Sequence, residues 1–416
     1  MAGRVLLSPL PLIAVLLLHI GLARAATTNP GVESLTRITL PLTEIRTPPI
    51  NYPRVYAVNV TLGTPGQPRT LVVDVNSQMT WTHSYKTPAF PAVKNKINPP
   101  FYTANSSSVK FTGCKTDECS AAHYISTSLA PEEFCLADDC GYNVTLQIDD
   151  NDVMQYTAGV LGSDVLGIGG NKMVSSGPLG FSFVTEGRFA NLTTDGVLGL
   201  AMVNTSTLSS LVKLYNIPKT ISICIDGAAG GVLSLGQLPV ALEGETLKYM
   251  ALVDTTDVLV GFDMYAVNVS GAAVTGFAKT KPLNYVGVLN TAVDMTFVPL
   301  EMYSGLLTLL KESASVPTFD VQVPGMNITC YNAPSCDVTY LPTATIDLAN
   351  VTLTATPQDY TFSIPTENGQ CVVCFNILPW GFDNAMMIGA NFLKKTWMII
   401  DAEKKRVAFT NSKPCK

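Results

Sequence analysis

Two short polar segments, each following an apolar run, hold the residues whose types and spacing could do acid–base chemistry. The first reads Leu71-Val72-Val73-Asp74-Val75-Asn76-Ser77, with Trp81 seven residues past Asp74. The second reads Gly287-Val288-Leu289-Asn290-Thr291-Ala292-Val293, with Phe297 seven residues past Asn290. One pentapeptide, Tyr-Ala-Val-Asn-Val, opens both halves, at Tyr56 and again at Tyr265. The chain therefore reads as a duplication in which each half offers one small polar loop. A carboxylate such as Asp74 can take and give a proton at neutral or mildly acid pH, whereas an amide such as Asn290 cannot. The duplication thus sets one group that can relay a proton beside one that cannot.

Strands must position these loops. Short apolar or alternating runs, Leu71–Val73, Val197–Leu200, Ile221–Ile225, Val232–Leu235, Trp397–Ile400 and Arg406–Phe409, are separated by Gly, Pro, Asn and Asp clusters, the pattern of an all-β protein. Another apolar strand, Ile38–Leu42, lies in the Pro- and Thr-rich segment Ala26–Pro53. Helical stretches are few. Ser206–Leu214 carries Leu208, Leu211, Val212 and Leu214 at helical spacing. Pro299–Ser313 enters on a proline and sets Met302, Leu306, Leu309 and Leu310 on one face. Both are read as core-facing amphipathic helices. The glycine-rich run Gly167–Lys172 lacks the spacing and the Ser/Thr of a phosphate loop, so a hairpin turn is predicted there. The division between halves is set near Asp226, where Asp226–Gly231 interrupts two strand runs, giving an N-terminal lobe over 26–226 and a C-terminal lobe over 227–416.

The first residues decide the compartment. Arg4 precedes an apolar run from about Leu10 to Leu22, closed by Ala23-Arg24-Ala25, which reads as a secretory signal peptide over 1–25. The run is too short to span a membrane, and no later stretch is long enough. Losing Arg4 and Arg24 with the signal takes the formal net charge from −6 to −8. An acidic chain without a basic patch argues against nucleic acid or anionic membrane as partner. Charged residues at 14% and hydrophobic ones at 47% fit a well-buried globular protein.

Secretion governs how the cysteines read. Cys114, Cys119, Cys135, Cys140, Cys224, Cys330, Cys336, Cys371, Cys374 and Cys415 are ten in number and absent from the signal, which predicts five disulfides. Cys371 and Cys374 have the spacing of a zinc or redox pair, but without a second ligand pair the disulfide reading is preferred. The mature chain keeps only His83 and His123, at no ligand spacing, so neither a metal nor a cofactor is expected. Asn-x-Ser/Thr sequons begin at Asn59, Asn105, Asn143, Asn191, Asn204, Asn268, Asn327 and Asn350, and predict a glycoprotein.

From about Tyr52 to the C-terminus the chain resembles the pepsin-like aspartic peptidases, in their nepenthesin-like and xylanase-inhibitor-like plant branch. Besides the two loops, Thr194–Leu200 is similar to the segment that crosses beneath the first catalytic loop, and Met387–Leu393 with Ile400-Asp401 and Arg406–Phe409 looks like its C-terminal counterpart. Gly230–Gly236, the spacing of Cys114 and Cys119, and the helix after Pro299 fit as well. The resemblance implies an all-β, two-lobed pepsin-like fold with a few short helices. It implies a catalytic pair of carboxylates about 3 Å apart sharing one proton. Carried over residue by residue, that pair becomes Asp74 and Asn290. The hydroxyl after each aspartate becomes Val75 and Thr291, and the glycine third in each triplet becomes Asn76 and Ala292. Ser77 is matched by Val293, and Leu146 stands where the substrate-covering tyrosine of the flap belongs. The flap tip carries Asp149, Asp150 and Asp152 without the glycine and closing Glu of a calcium loop, and reads as a solvated hairpin. Because Asn tolerates left-handed backbone angles better than Ala, the second loop is expected to be the more disturbed. Of the disulfide pairings, Cys330–Cys374 alone is put forward.

These departures predict a secreted, catalytically inactive homologue rather than an enzyme, a monomer in the extracellular space or cell wall that works by binding a secreted protein. The branch implies inhibitors of glycoside hydrolases such as xylanases. Two alternatives stand beside it: an aspartic endopeptidase with residual or altered activity through Asp74, and an inert storage or cell-wall glycoprotein. In the segment Phe375–Asn384, Trp380, Phe382 and Asp383 could anchor a partner, while a Trp380 tucked into the core is the competing reading.

Overall fold

Alternation sets the first strand, β1 (Arg37–Arg46), where Ile38, Leu40 and Leu42 face inward and Thr39, Pro41 and Thr43 stay exposed. The computed structural model describes residues 35–46, 54–85, 96–122, 135–136, 138–147, 153–174, 177–187, 190, 192–253, 260–264, 266–269, 272–273, 286–314, 317–323, 326–366, 368–380 and 385–415. The strands used below are β2 (Arg54–Leu62), β3 (Gln67–Asp74), β4 (Thr80–Tyr85), β5 (Asp139–Gln147), β6 (Val153–Ser163), β7 (Leu179–Gly187), β8 (Gly196–Gly199), β9 (Thr220–Ile225) and β10 (Gly231–Gly236). They continue with β11 (Val286–Asn290), β12 (Thr296–Pro299), β13 (Met326–Ala333), β14 (Cys371–Phe375), β15 (Ile377–Trp380), β16 (Ala385–Gly389), β17 (Trp397–Asp401) and β18 (Arg406–Thr410). The fold is all-β with few short helices, as its alternating runs predict.

One antiparallel sheet joins both ends of the chain. Its order is β1, β10, β9, β17, β18 and the short strand Tyr249–Ala251. The segment Asp226–Gly230 forms the turn between β9 and β10. The predicted hairpin at Gly167–Lys172 is present, with Gly169 and Gly170 at φ 57° and 78° between paired strands.

The helices fall where their spacing puts them. Helix α1 (Thr207–Tyr215) is capped by Ser206, whose hydroxyl accepts the Ser209 N–H, and ends on Asn216 at φ 54°. Leu208 and Leu211 are buried, but Leu214 is 47% exposed and Tyr215 packs inward instead, which corrects the expected face by one position. Helix α2 (Leu300–Ala314) buries Met302, Leu306 and Leu310.

Each half repeats one strand arrangement around its polar loop. In the first, β8 runs parallel to β3 with Gly199 opposite Asp74, while β4 pairs with β7 and sets Trp81 opposite Val197. In the second, β16 runs parallel to β11 with Gly389 opposite Asn290, while β12 pairs with β15 and sets Phe297 opposite Met387. The repeated pentapeptide is not part of this repeat. Ala57 lies opposite Val72, two residues before Asp74, but the residue opposite Val288, two before Asn290, is Gly261. Tyr56 thus corresponds to Val260, and Ala266–Val269 pairs with Ala344–Asp347 instead. Val260, Phe262 and Met264, all buried, carry the alternation that fixes this register.

All ten cysteines are paired: Cys114–Cys135, Cys119–Cys140, Cys224–Cys415, Cys330–Cys374 and Cys336–Cys371. Cys330 and Cys374 face each other across β13 and β14, as put forward. Cys371 and Cys374 go to different partners, which removes the zinc or redox reading.

Candidate functional site

The two polar loops share their supporting geometry almost atom for atom. Asp74 ends β3, and its carboxylate accepts the N–H of Asn76 at 2.8 Å. Asn290 ends β11, and its Oδ1 accepts the N–H of Ala292 at 3.0 Å. Beneath each loop a glycine passes too close for any side chain. A Cβ on Gly199 would lie 2.2 Å from the Met79 carbonyl oxygen, and one on Gly389 would lie 1.9 Å from that of Met295. Each of these glycines donates its N–H to the threonine six residues past the loop's first residue: Gly199 to Thr80 Oγ1 at 3.0 Å, Gly389 to Thr296 Oγ1 at 3.1 Å.

Side chains break the symmetry. The free Nδ2 of Asn290 donates to Met387 Sδ at 3.0 Å, a weak acceptor delivered by a residue whose counterpart in the first half is Val197. Ser77 turns its hydroxyl to the Met79 carbonyl at 2.9 Å, away from Asp74. Thr291 Oγ1 reaches across to the first half, donating to the Val73 carbonyl at 2.8 Å and accepting the Val75 N–H at 3.2 Å. The reciprocal bond, which Val75 cannot make, is made by its neighbour: Asn76 Nδ2 donates to the Leu289 carbonyl. The halves are thus tied from both sides, by the Thr291 hydroxyl in one direction and, Val75 having none, by the Asn76 amide in the other. The expected strain is absent. Neither Asn76 nor Ala292 is among the residues at positive φ, so the second loop needs no left-handed residue.

Burial raises the Asp74 carboxyl to about 6, against the N–H groups of Asn76 and Ser77, which favour the charged form. A second polar tie lies beside the C-terminal loop. Arg54 Nε on β2 meets Asp294 Oδ2 at 2.8 Å, and its other nitrogens donate to the carbonyls of Gln358 and Asp359. Lys394 Nζ meets Asp359 Oδ1 at 2.8 Å. Burial pushes the Asp359 carboxyl up, but Lys394 and the hydrogen bonds from Lys394 and Thr356 together hold it below the ordinary carboxylate range. Sequence reasoning missed Arg54, Asp294, Met387 and the Asn76 side chain. Only Asn76 left a signal, a polar side chain standing where the resemblance has glycine.

In the hairpin of β5 and β6 the backbone of Leu146 pairs with Gln155; the Leu146 side chain, and Asp149, Asp150 and Asp152, lie outside the described residues. Trp380 ends β15 with its backbone paired to Pro299, so this position is strand rather than loop. Its side chain, with all of Phe382 and Asp383, lies outside the described residues. Asn59, Asn105, Asn204 and Asn350 are exposed and Asn143 is half-buried, whereas Asn191 and the side chains of Asn268 and Asn327 are outside the described residues. Among the described residues no group of His, Cys, Asp and Glu could hold a metal, and no helix is long and apolar enough to cross a membrane.

Comparison with known proteins agrees with this architecture. A family profile described as the N-terminal domain of xylanase inhibitors matches residues 56–237. Aspartic proteinase 39 of Arabidopsis thaliana is 23% identical over 86% of this chain and 74% of its own length. Aspartic proteinase 36 of the same plant is 22% identical over 86% and 73%, and aspartic protease 6 of Caenorhabditis elegans is 23% identical over 86% and 81%. With the duplicated strand arrangement around Asp74 and Asn290, these similarities support a pepsin-like aspartic peptidase fold for this chain.

Proposed function

We propose that this chain is a secreted, catalytically inactive member of its family that works by binding another secreted protein. A glycoside hydrolase such as a xylanase is the partner class that the matched domain favours. One observation carries the inactivity: Asn290, opposite Asp74 in the duplicated arrangement, is an amide held by Ala292 and Met387. An amide cannot relay the proton that water attack on a peptide requires, and losing one member of an acid–base pair costs orders of magnitude in rate. In this reading residues 1–25 are a signal peptide, 26–226 and 227–416 are the two lobes, the exposed sequons carry glycans, and the mature protein is a monomer of the extracellular space.

The binding part is tested by titrating the pure protein with purified secreted xylanases. If Trp380, Phe382 and Asp383 form the anchor, Trp380→Ala weakens binding by about 2 kcal/mol or more with thermal stability nearly unchanged. Asp74→Asn leaves the affinity alone. The reverse pattern assigns binding to the Asp74 loop. An aspartic endopeptidase of altered activity is the second reading, and the Asp74 carboxyl, cradled by two N–H groups and raised to about 6, is what favours it.

A further inference from the structure

The Asn76 side chain sits inside the strand ladder of the other half. Val260 and Leu289 are opposite residues, since Gly261 pairs with Val288 in the antiparallel register. Such a pair can exchange two backbone hydrogen bonds. One is made: the Leu289 N–H donates to the Val260 carbonyl at 3.0 Å. The other is replaced by an amide. The Val260 N–H donates to Asn76 Oδ1 at 3.3 Å, and Asn76 Nδ2 donates to the Leu289 carbonyl. The primary amide, with its donor and its acceptor on one planar group, spans the gap as a backbone peptide would.

We infer that Asn76 is a latch between the halves, a positioning residue that supplies the cross-half bond Val75 lacks by completing a rung of the opposite sheet. The segment Leu289–Asp294 then receives ties from three elements of the first half. These are Asn76 to the Leu289 carbonyl, Thr291 to both sides of the β3 end, and Arg54 to Asp294. A loop built to carry chemistry becomes a joint that fixes the halves in one relation. That rigidity lowers the ordering cost for any partner that spans both. The latch does not depend on the identity of a partner, and its test uses none.

The requirement for both a donor and an acceptor gives the test its discrimination. Asn76→Asp is nearly isosteric but presents a second acceptor to the Leu289 carbonyl. In the full-length secreted protein at pH 7, Asn76→Asp and Asn76→Gly are each expected to lower the thermal midpoint by about 2–4 °C or more. Each should also speed hydrogen exchange at the Val260 amide about tenfold, with the Asp195 amide, bonded to the Thr70 carbonyl within the first half, unaffected. Val75→Thr placed on Asn76→Gly restores a hydroxyl facing Leu289 and should recover part of the lost midpoint. The latch is overturned if Asn76→Asp leaves midpoint and Val260 exchange unchanged, or if Val75→Thr recovers nothing in the Asn76→Gly protein. Should Asn76→Gly fail to fold, Asn76→Asp against Asn76→Gln decides: a latch predicts that Gln keeps more protection at Val260 than Asp does.

Discussion

The two polar loops present different side chains on matching backbone. The first has the Asp74 carboxylate followed by Val75, without a hydroxyl; the second has the Asn290 amide followed by the Thr291 hydroxyl. What the two share is set by backbone. Gly199 and Gly389 pass within contact of a carbonyl, and Thr80 and Thr296 take up their N–H groups. The lesson is that backbone contact leaves both strand crossings no room for a side chain, while the side chains that the loops present differ between the halves. Scaffold and chemistry answer to different constraints.

The comparison can be broken first at the glycines. Gly199→Ala and Gly389→Ala should each cost about 3–5 kcal/mol or prevent folding, because the new Cβ meets backbone that cannot withdraw. If denaturant unfolding shows one to be harmless, the two crossings are not equivalent. Next comes the asymmetric tie. Arg54→Met leaves the Asp294 carboxylate buried without its partner and should cost about 3 kcal/mol. Urea midpoints of Arg54→Met and of Arg54→Met with Asp294→Leu measure this, and the double variant should recover much of the loss.

A smaller effect, of opposite sign, is expected at Asp74. Its carboxyl in the fold stands at about 6, above an unfolded value near 3.9. Below the unfolded value the group is protonated in both states and contributes nothing. Between about 3.9 and 6 the unfolded chain ionises while the fold keeps its proton, so stability falls; above about 6 the fold holds a buried charge and the loss is complete. Asp74→Asn should therefore stabilise the protein by about 1–3 kcal/mol above pH 6 and change little below pH 4. Stability curves of the two proteins across that range check it. The smallest effect belongs to Val75→Thr alone, within about 1 kcal/mol, because Asn76 already occupies the Leu289 carbonyl.

Much of the scaffold was legible because it rests on local rules. Ile38–Leu42 alternates, Ser206 caps a helix, Gly169 and Gly170 supply a hairpin turn, and ten cysteines form five bridges. Where the reading failed, the answer lay across the chain. The pentapeptides at Tyr56 and Tyr265 look like one repeat, yet strand register depends on which residues bury, and it puts Val260 where Tyr265 was expected. Leu214 fits a helical stripe in sequence but faces solvent, because the core lies one residue further round. Asn76 reads as the loss of a glycine. Its amide proves to be bonded to Leu289, 213 residues away, a contact no local pattern encodes.

The central proposal is that a chain whose two loops offer the Asp74 carboxylate and the Asn290 amide does not hydrolyse peptides, and it meets its most direct test in a cleavage assay. Pure mature protein is incubated with a denatured protein substrate from near pH 3 to neutral, with and without pepstatin, beside Asn290→Asp. The account predicts no pepstatin-sensitive cleavage by the natural sequence at any pH, and little by Asn290→Asp, whose new carboxylate meets the sulfur of Met387. Pepstatin-sensitive cleavage by the natural sequence would contradict it.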